Sequence, residues 1–459
     1  MCKGNGDYHN LELYEGDVLP LESFLLKKVD MLESQNDNRP FFLVDLAELY
    51  RMLEQWRRHL PRVELFYALK CNPHPIVSRC LADAGVGFDC ASKMEIEQIL
   101  NLGVHPSRII YANPYKPSGY LTYAAANNVD LMTFDSAHEL TKIKKHYPNA
   151  RLVLRIWTRN GPIMIHNLSK KFGCHTREVR AILAQAAKMN LNVVGVSFHV
   201  GGPVTSPDYY ATAIEQAHRA FNIGLSLGLN MEIIDIGGGF PGKYNGYVTF
   251  EEVAESVNKS LDRYFPASEA VRIIAEPGHY FVTAAFTLTV SIIGKRIVSK
   301  RDIDDGCKKD HFKEHNSDET SNEEAKDESL IYMYVLDQGT CGAFANVTYD
   351  DADIQLKLLQ NSNLKTSIVW GPTCATFDCV VAKRQLSEME VGQRLYIPNM
   401  GAYSLSLATG FNGIELPLVF PVCSRYYCAT VPLIFEQLLF SKVCLTPTAP
   451  KTHIKGLLL

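Results

Sequence analysis

The stretch Phe66-Tyr67-Ala68-Leu69-Lys70-Cys71-Asn72 is an apolar run that closes on a single lysine, and Asn72-Pro73-His74-Pro75 then forces a turn. A strand that stops this way sets one amine at the edge of a sheet, where lysine can form a Schiff base with a carbonyl group. The ordinary alternative is a solvated lysine at a strand end, so the weight falls on the neighbouring runs. Those runs also close on polar residues: Asp89, Asn113, Asp135, Arg155, His199, the glycines Gly237-Gly238-Gly239, and Glu276. A lysine, a histidine, a glycine cluster and a glutamate at equivalent positions are chemistry waiting for a common mouth.

The elements that would build that mouth recur in order. After Phe41 to Asp45, β-rich runs span Val63 to Lys70, Gly87 to Ser92, Ile109 to Pro114, Leu131 to Ser136, Leu152 to Trp157, Val193 to Val200, Ile233 to Gly238 and Arg272 to Gly278. Between them, Ser92 to Leu102, Ser136 to His146, Thr176 to Met189 and Ser206 to Leu227 carry apolar residues at helical spacing. Eight such units predict an α/β fold, a TIM (β/α)8 barrel over residues 41–283, whose reactive face lies at the C-terminal ends of its strands. The alternation then stops. Phe286 to Val298, Leu330 to Leu336, Thr366 to Trp370 and Arg394 to Pro398 predict a mostly β domain over 284–425. Residues 1–40 are expected to join that domain. Residues 301–329, crowded with acids and lysines, read as a disordered loop, because they hold too little apolar surface to offset ordering. The segment 426–459 has no clear pattern.

Composition narrows the class further. With 459 residues, 46% of them hydrophobic, the chain can bury two cores. A net charge of -4 makes no electrostatic case for nucleic acid or an anionic membrane. The 12 cysteines form no CxxC pair, so neither a metal centre nor a disulfide framework is expected. The N-terminus lacks an apolar leader and no run of about 20 apolar residues occurs, which together read as a cytoplasmic protein.

Asp235 to Gly242 satisfies GxGxxG, the signature of a dinucleotide turn. That turn needs a helix to open at once, and Pro241 and Asn245-Gly246 interrupt it here. Bare backbone amides after a barrel strand instead suit a phosphate group on another kind of cofactor.

Taken together, these motifs resemble the eukaryotic ornithine decarboxylase family, whose fold is a barrel of the alanine racemase type followed by a β domain. The resemblance spans roughly Arg39 to Arg425. It rests on Tyr67 to Asn72, Phe88-Asp89-Cys90-Ala91-Ser92, Leu168 to Gly173, Ser197-Phe198-His199-Val200-Gly201, Asp235 to Gly242, Glu276-Pro277-Gly278, Trp370-Gly371-Pro372-Thr373-Cys374 and Asn399-Met400-Gly401-Ala402-Tyr403. It implies pyridoxal 5'-phosphate as cofactor, with Lys70 as the Schiff-base lysine and Glu276 on the pyridine nitrogen, where an acid strengthens the ring as an electron sink. It further implies that His199 stacks on the ring, that Gly238, Gly239 and Tyr403 hold the phosphate, and that Asp89 and Arg155 line the cofactor. Cys374 would protonate Cα, sulfur being suited to a labile proton near neutral pH. Lys171 and Asp378 would bridge a head-to-tail homodimer whose active sites are shared.

The departures from the family bear on the substrate. Where the family has Asn-Asp-Gly-Val-Tyr-Gly, this chain reads Asp337-Gln338-Gly339-Thr340-Cys341-Gly342, and the acid that follows Gly-Pro-Thr-Cys is replaced by Ala375. Both carboxylates that face a diamine's distal ammonium are thereby lost. Gln338, Cys341 and Ala375 predict a pocket for a neutral aliphatic amino acid, leucine foremost. Gly202 and His279 replace a serine and an arginine of the family's phosphate cup, which predicts weaker cofactor binding. They also admit a catalytically inactive homologue that binds the regulatory protein antizyme. An ordinary ornithine decarboxylase is the remaining alternative.

Overall fold

A computed structural model describes residues 11–158, 171–202, 204–243, 246–300, 330–349, 354–358 and 363–430. The first two strands are β1 (Glu12–Tyr14) and β2 (Phe41–Asp45). The next eight are β3 (Val63–Ala68), β4 (Gly87–Cys90), β5 (Ile109–Tyr111), β6 (Leu131–Phe134), β7 (Arg151–Arg155), β8 (Asn192–Ser197), β9 (Ile233–Asp235) and β10 (Arg272–Ala275). These eight pair in parallel and close into a barrel in chain order, β10 returning to β3.

Most barrel strands carry apolar residues on both faces, as burial on both sides demands, while β4 turns Gly87 and Asp89 inward. Phe66, Ile110, Leu131, Val153, Val194, Ile233 and Ile274 form one buried cluster that fills the barrel, while flanking residues such as Ile273 and Ala275 pack outward in the main core. Each strand ends sooner than its hydropathy predicts. β3 stops at Ala68, and Lys70 lies in the 3-10 turn Leu69–Cys71; β4 stops at Cys90 and β8 at Ser197. The residues in question leave the ladder to make the mouth, which an unbroken apolar run does not reveal. Helix starts are better marked in the sequence: Ser92, Ser136 and Thr249 cap helices by accepting from the amides of Glu95, Glu139 and Glu252.

The second unit is a sheet in the order β1, β16 (Leu418–Ser424), β2, β11 (Phe286–Ser299), β12 (Leu330–Leu336), β13 (Leu364–Trp370) and β14 (Cys379–Ser387), with β15 (Arg394–Ile397) pairing β11. Here the boundary drawn at residue 41 moves: β2 pairs β11 and β16 in this sheet, so the barrel unit opens with the helix Leu46–His59. β1 joins the same sheet through β16. Of the tail that begins at 426, the first residues complete the helix Arg425–Thr430. Residues 301–329 and 431–459 lie outside the described residues. No helix among the described residues is long and apolar enough to cross a membrane.

The two units meet at the turn that carries Lys70. The Cys71 carbonyl accepts from the Tyr403 amide at 3.0 Å and the Ser406 hydroxyl at 3.0 Å, and the Asn72 side chain donates to the Gly401 carbonyl at 2.8 Å. Tyr403 adopts a left-handed backbone, φ 51°, a costly conformation for a residue with a Cβ, which these bonds hold in place.

Candidate active site

The strand ends bring Lys70, Asp89, Arg155, His199 and Glu276 together at one mouth. Lys70 Nζ pairs with Asp89 Oδ2, while the Asp89 side chain is fully enclosed and its Oδ1 has no partner. Burial works against the charge on Lys70, but the Asp89 and Glu276 carboxylates overcome it and hold the amine above its ordinary range. The group at rest is therefore a paired ammonium.

Glu276 follows β10 and is 7% exposed, with Oε1 buried and unpartnered. Its amide donates to the Gly237 carbonyl at 2.7 Å, which fixes the chain beside the glycine run. Asp235 closes β9, is 0% exposed, and accepts from the Gly237 amide at 2.9 Å through Oδ1. Its other oxygen is buried and unpartnered, and the Glu276 carboxyl lies near enough for each to bear on the other's charge. Burial raises both, and the proximity of like charges raises Glu276 further. Sequence reasoning does not single out Asp235 as a site residue. The available signal is an acid that ends the all-apolar Ile233-Ile234 in register with Ser197.

Arg155 ends β7 among these acids. Burial pulls its affinity for the proton down against the opposing pull of Glu276, Asp235, Asp135 and Asp89, and its guanidinium lies 5.0 Å from the Phe172 ring centroid. His199 follows β8, and its Nδ1 accepts from the Gly201 amide at 2.9 Å. Burial first, then Arg155, Lys70 and His279, push its pKa well below the usual value, so the ring is neutral with its proton on Nε2.

The glycine run admits no side chains. A Cβ on Gly238 would meet the Glu276 carbonyl oxygen at 2.5 Å and His199 Nε2 at 3.0 Å, and one on Gly239, at φ +107°, would meet the Gly201 carbonyl oxygen at 2.2 Å. The same crowding accounts for Gly202. A Cβ there would lie 2.8 Å from Gly239 Cα, so a serine would require the two loops to part. His279 packs its ring 4.9 Å from that of Tyr403, tying the start of the short helix His279–Val282 to the β domain.

Lys70's own turn is braced on its far side by the helix Pro75–Asp83. His74 caps it, Nδ1 accepting from the Ile76 amide at 3.3 Å, and burial lowers the His74 pKa from 6.5 to about 4. The unfolded chain therefore takes up this proton first, and stability is present in full above pH 6.5 and lost as pH falls towards about 4. Urea unfolding at pH 7 and pH 4.5 should give a smaller loss for His74→Asn, which keeps a capping oxygen that does not titrate in this range, than for the unaltered protein.

The remaining predicted residues, apart from Lys171 on the barrel unit, form a second group on the β domain. Cys374 is exposed, with its amide bonded to Asn412 Oδ1 at 3.0 Å. Half-buried Ala375 follows it, and the Cys341 carbonyl accepts from the Thr409 amide at 2.8 Å. Gln338 is 1% exposed: its Oε1 accepts from the Ala343 amide at 3.1 Å and its Nε2 donates to the Glu415 carbonyl at 2.8 Å. Its amide thus staples two loops behind the pocket surface. Asp378 is 1% exposed and accepts from the amides and hydroxyls of Thr340 and Thr373, all within the chain, while Lys171 is exposed beside the Phe172 ring.

A closed parallel barrel with a lysine, paired acids and a glycine cradle at its C-terminal mouth, docked on a β sheet, defines a pyridoxal-phosphate enzyme of the alanine racemase-like fold. Unpartnered buried oxygens on Asp89, Asp235 and Glu276 beside glycines that tolerate no Cβ fit that cofactor's protonated ring nitrogen and phosphate. Residues 46–283 match the family model described as pyridoxal-dependent decarboxylase, pyridoxal binding domain. The chain is 40% identical over 408 residues to ornithine decarboxylase of Rattus norvegicus, covering 88% of this chain and 85% of that protein. It is 41% identical over 405 residues to antizyme inhibitor 2 of Xenopus laevis, covering 86% and 84% respectively. The crystal structure of the Paramecium bursaria Chlorella virus arginine decarboxylase bound to agmatine superposes with a TM-score of 0.76 at 31% identity, covering 87% of this chain and 99% of that one. The chain belongs to the pyridoxal-dependent decarboxylase family: it is a carboxy-lyase whose cofactor is pyridoxal 5'-phosphate.

Proposed function

We propose that the protein decarboxylates a neutral aliphatic amino acid, leucine foremost, to the primary amine and CO2. When bound, pyridoxal phosphate supplies a protonated heteroaromatic ring that draws off the electron pair left by the departing carboxylate. The chain's own residues do the rest. Lys70 Nζ would hold the cofactor through its carbonyl carbon. Glu276, backed by Asp235, keeps a proton on the ring nitrogen. Neutral His199 would face the ring without adding charge, and Gly238, Gly239 and Tyr403 would hold the phosphate, with Asp89 and Arg155 alongside. Cys374 delivers a proton from Sγ to Cα. It comes from the other subunit of a head-to-tail homodimer, at whose interface exposed Lys171 stands, whereas Asp378 is enclosed by Thr340 and Thr373 of its own chain.

The observation that carries the substrate reading is the state of positions 338 and 375. A diamine's distal ammonium needs a counter-charge in an enclosed pocket, and leaving it without one costs about 3–5 kcal/mol. Ala375 offers none, and both ends of the Gln338 amide are already bonded to the chain. Asp337, one place earlier, is half-buried at the end of β12, and burial pushes its carboxyl up to about 6. Measurement of CO2 release from leucine and ornithine decides the matter. Leucine should be turned over at least about a hundredfold better, and Ala375→Asp should shift that ratio towards ornithine by about a hundredfold. Rapid release from ornithine with none from leucine would sink the proposal.

A second reading has support in the likeness to antizyme inhibitor 2: the protein binds antizyme. Retention of Lys70, His199, Glu276 and Cys374 favours the enzyme, since binding alone requires none of them.

A further inference from the structure

A cavity of about 500 Å3 opens at the opposite end of the barrel, where β3, β4 and β10 begin. Four arginines line it, Arg57, Arg62, Arg108 and Arg272, against one carboxylate, Glu64. Two of the four have acids of their own. Arg272 forks onto Glu64, with Nη2 at 2.6 Å, and Arg62 pairs with Asp262 at 2.8 Å.

Arg57 and Arg108 form no ion pair among the described residues, although Asp83 lies near enough to favour the charge on Arg108. Their Nη2 groups donate instead to carbonyls at and just beyond the end of the helix Pro75–Asp83, Arg57 to Ala84 at 3.1 Å and Arg108 to Ala82 and Val86 at 2.7 Å each. Capping a helix end explains why both side chains stay ordered, and it uses only part of each fork. The Nε of Arg108 is buried without a partner. Burial also disfavours the charge on Arg108, which an anion alongside would relieve.

We propose that this cavity binds a small polyvalent anion. Guanidiniums held in place by the helix end lose little further freedom on binding, and two forks without an ion pair lining one volume match an anion of two or more charges. The volume is that of a metabolite site, and it lies outside the catalytic mouth.

Inorganic pyrophosphate is the first probe, titrated calorimetrically into the cofactor-loaded enzyme so that the phosphate cradle at the far end is already filled. One saturable site is expected, with affinity reduced at least about tenfold by Arg57→Gln and by Arg108→Gln while amino-acid turnover by Arg57→Gln stays unchanged. Arg57 is exposed, so its variant remains informative if the loss of Arg108 disturbs the helix end. Citrate at matched ionic strength forms the second arm: tighter binding than pyrophosphate assigns the site to polycarboxylates, weaker binding to phosphate compounds. Absence of saturable binding at millimolar probe, or binding that Arg57→Gln leaves unaltered, overturns the proposal.

Discussion

Lys70→Ala should lower decarboxylation on the order of 10^4-fold or more. The variant should also fail to develop the visible absorbance that the unaltered protein shows when mixed with pyridoxal phosphate. Lys70 stands beside the buried Asp89 carboxylate and within the field of Glu276, and no other amine is placed against these acids among the described residues. The side chain is 38% exposed, so its removal need not disturb the barrel, and circular dichroism should match that of the parent. An alanine variant that retains activity within tenfold would remove Lys70 from the mechanism.

Cys374→Ala should lower kcat by about 10^2–10^4, the range expected for loss of a positioned proton donor, with KM little changed. An exposed cysteine contributes little packing, so stability should stay within about 0.5 kcal/mol of the parent. Because the mechanism draws this group from the other subunit, mixing Lys70→Ala with Cys374→Ala should restore activity: exchange of subunits produces one intact site out of two. Absence of recovery in the mixture, with exchange demonstrated separately, would place the donor within the same chain as Lys70.

The catalytic mouth was readable from the sequence because function sits there as an interruption. A barrel strand buried on both faces is uniformly apolar, so Lys70, Asp89, His199 and Glu276 stand out where each run closes. What hydropathy could not give was the end of the ladder. Leu69 and Phe198 are as apolar as the strands before them, yet both lie beyond the paired residues. Asp235 escaped notice for the opposite reason, being absorbed into the glycine motif that follows it. The fate of Gln338 was not legible at all, since it depends on the Glu415 carbonyl, 77 residues away. In β14, Lys383-Arg384-Gln385 gives no alternation to read, because that stretch of an edge strand is exposed on both faces.

The placement of β2 bears on how the molecule is made. This strand leaves the ribosome among the first elements, yet its partners β11 and β16 come from Phe286–Ser299 and from the far end at Leu418–Ser424. The whole barrel is synthesised while β2 still lacks both neighbours. Pairing across so many residues is slow to form, and the early strand, apolar at Phe41, Phe42, Leu43 and Val44, has to be kept from other sticky surfaces meanwhile. Since the loop carrying Tyr403 also arrives late, Lys70 acquires its final support only when the last strand closes the sheet, so a nascent or truncated chain would contain a folded barrel without a finished turn around Lys70.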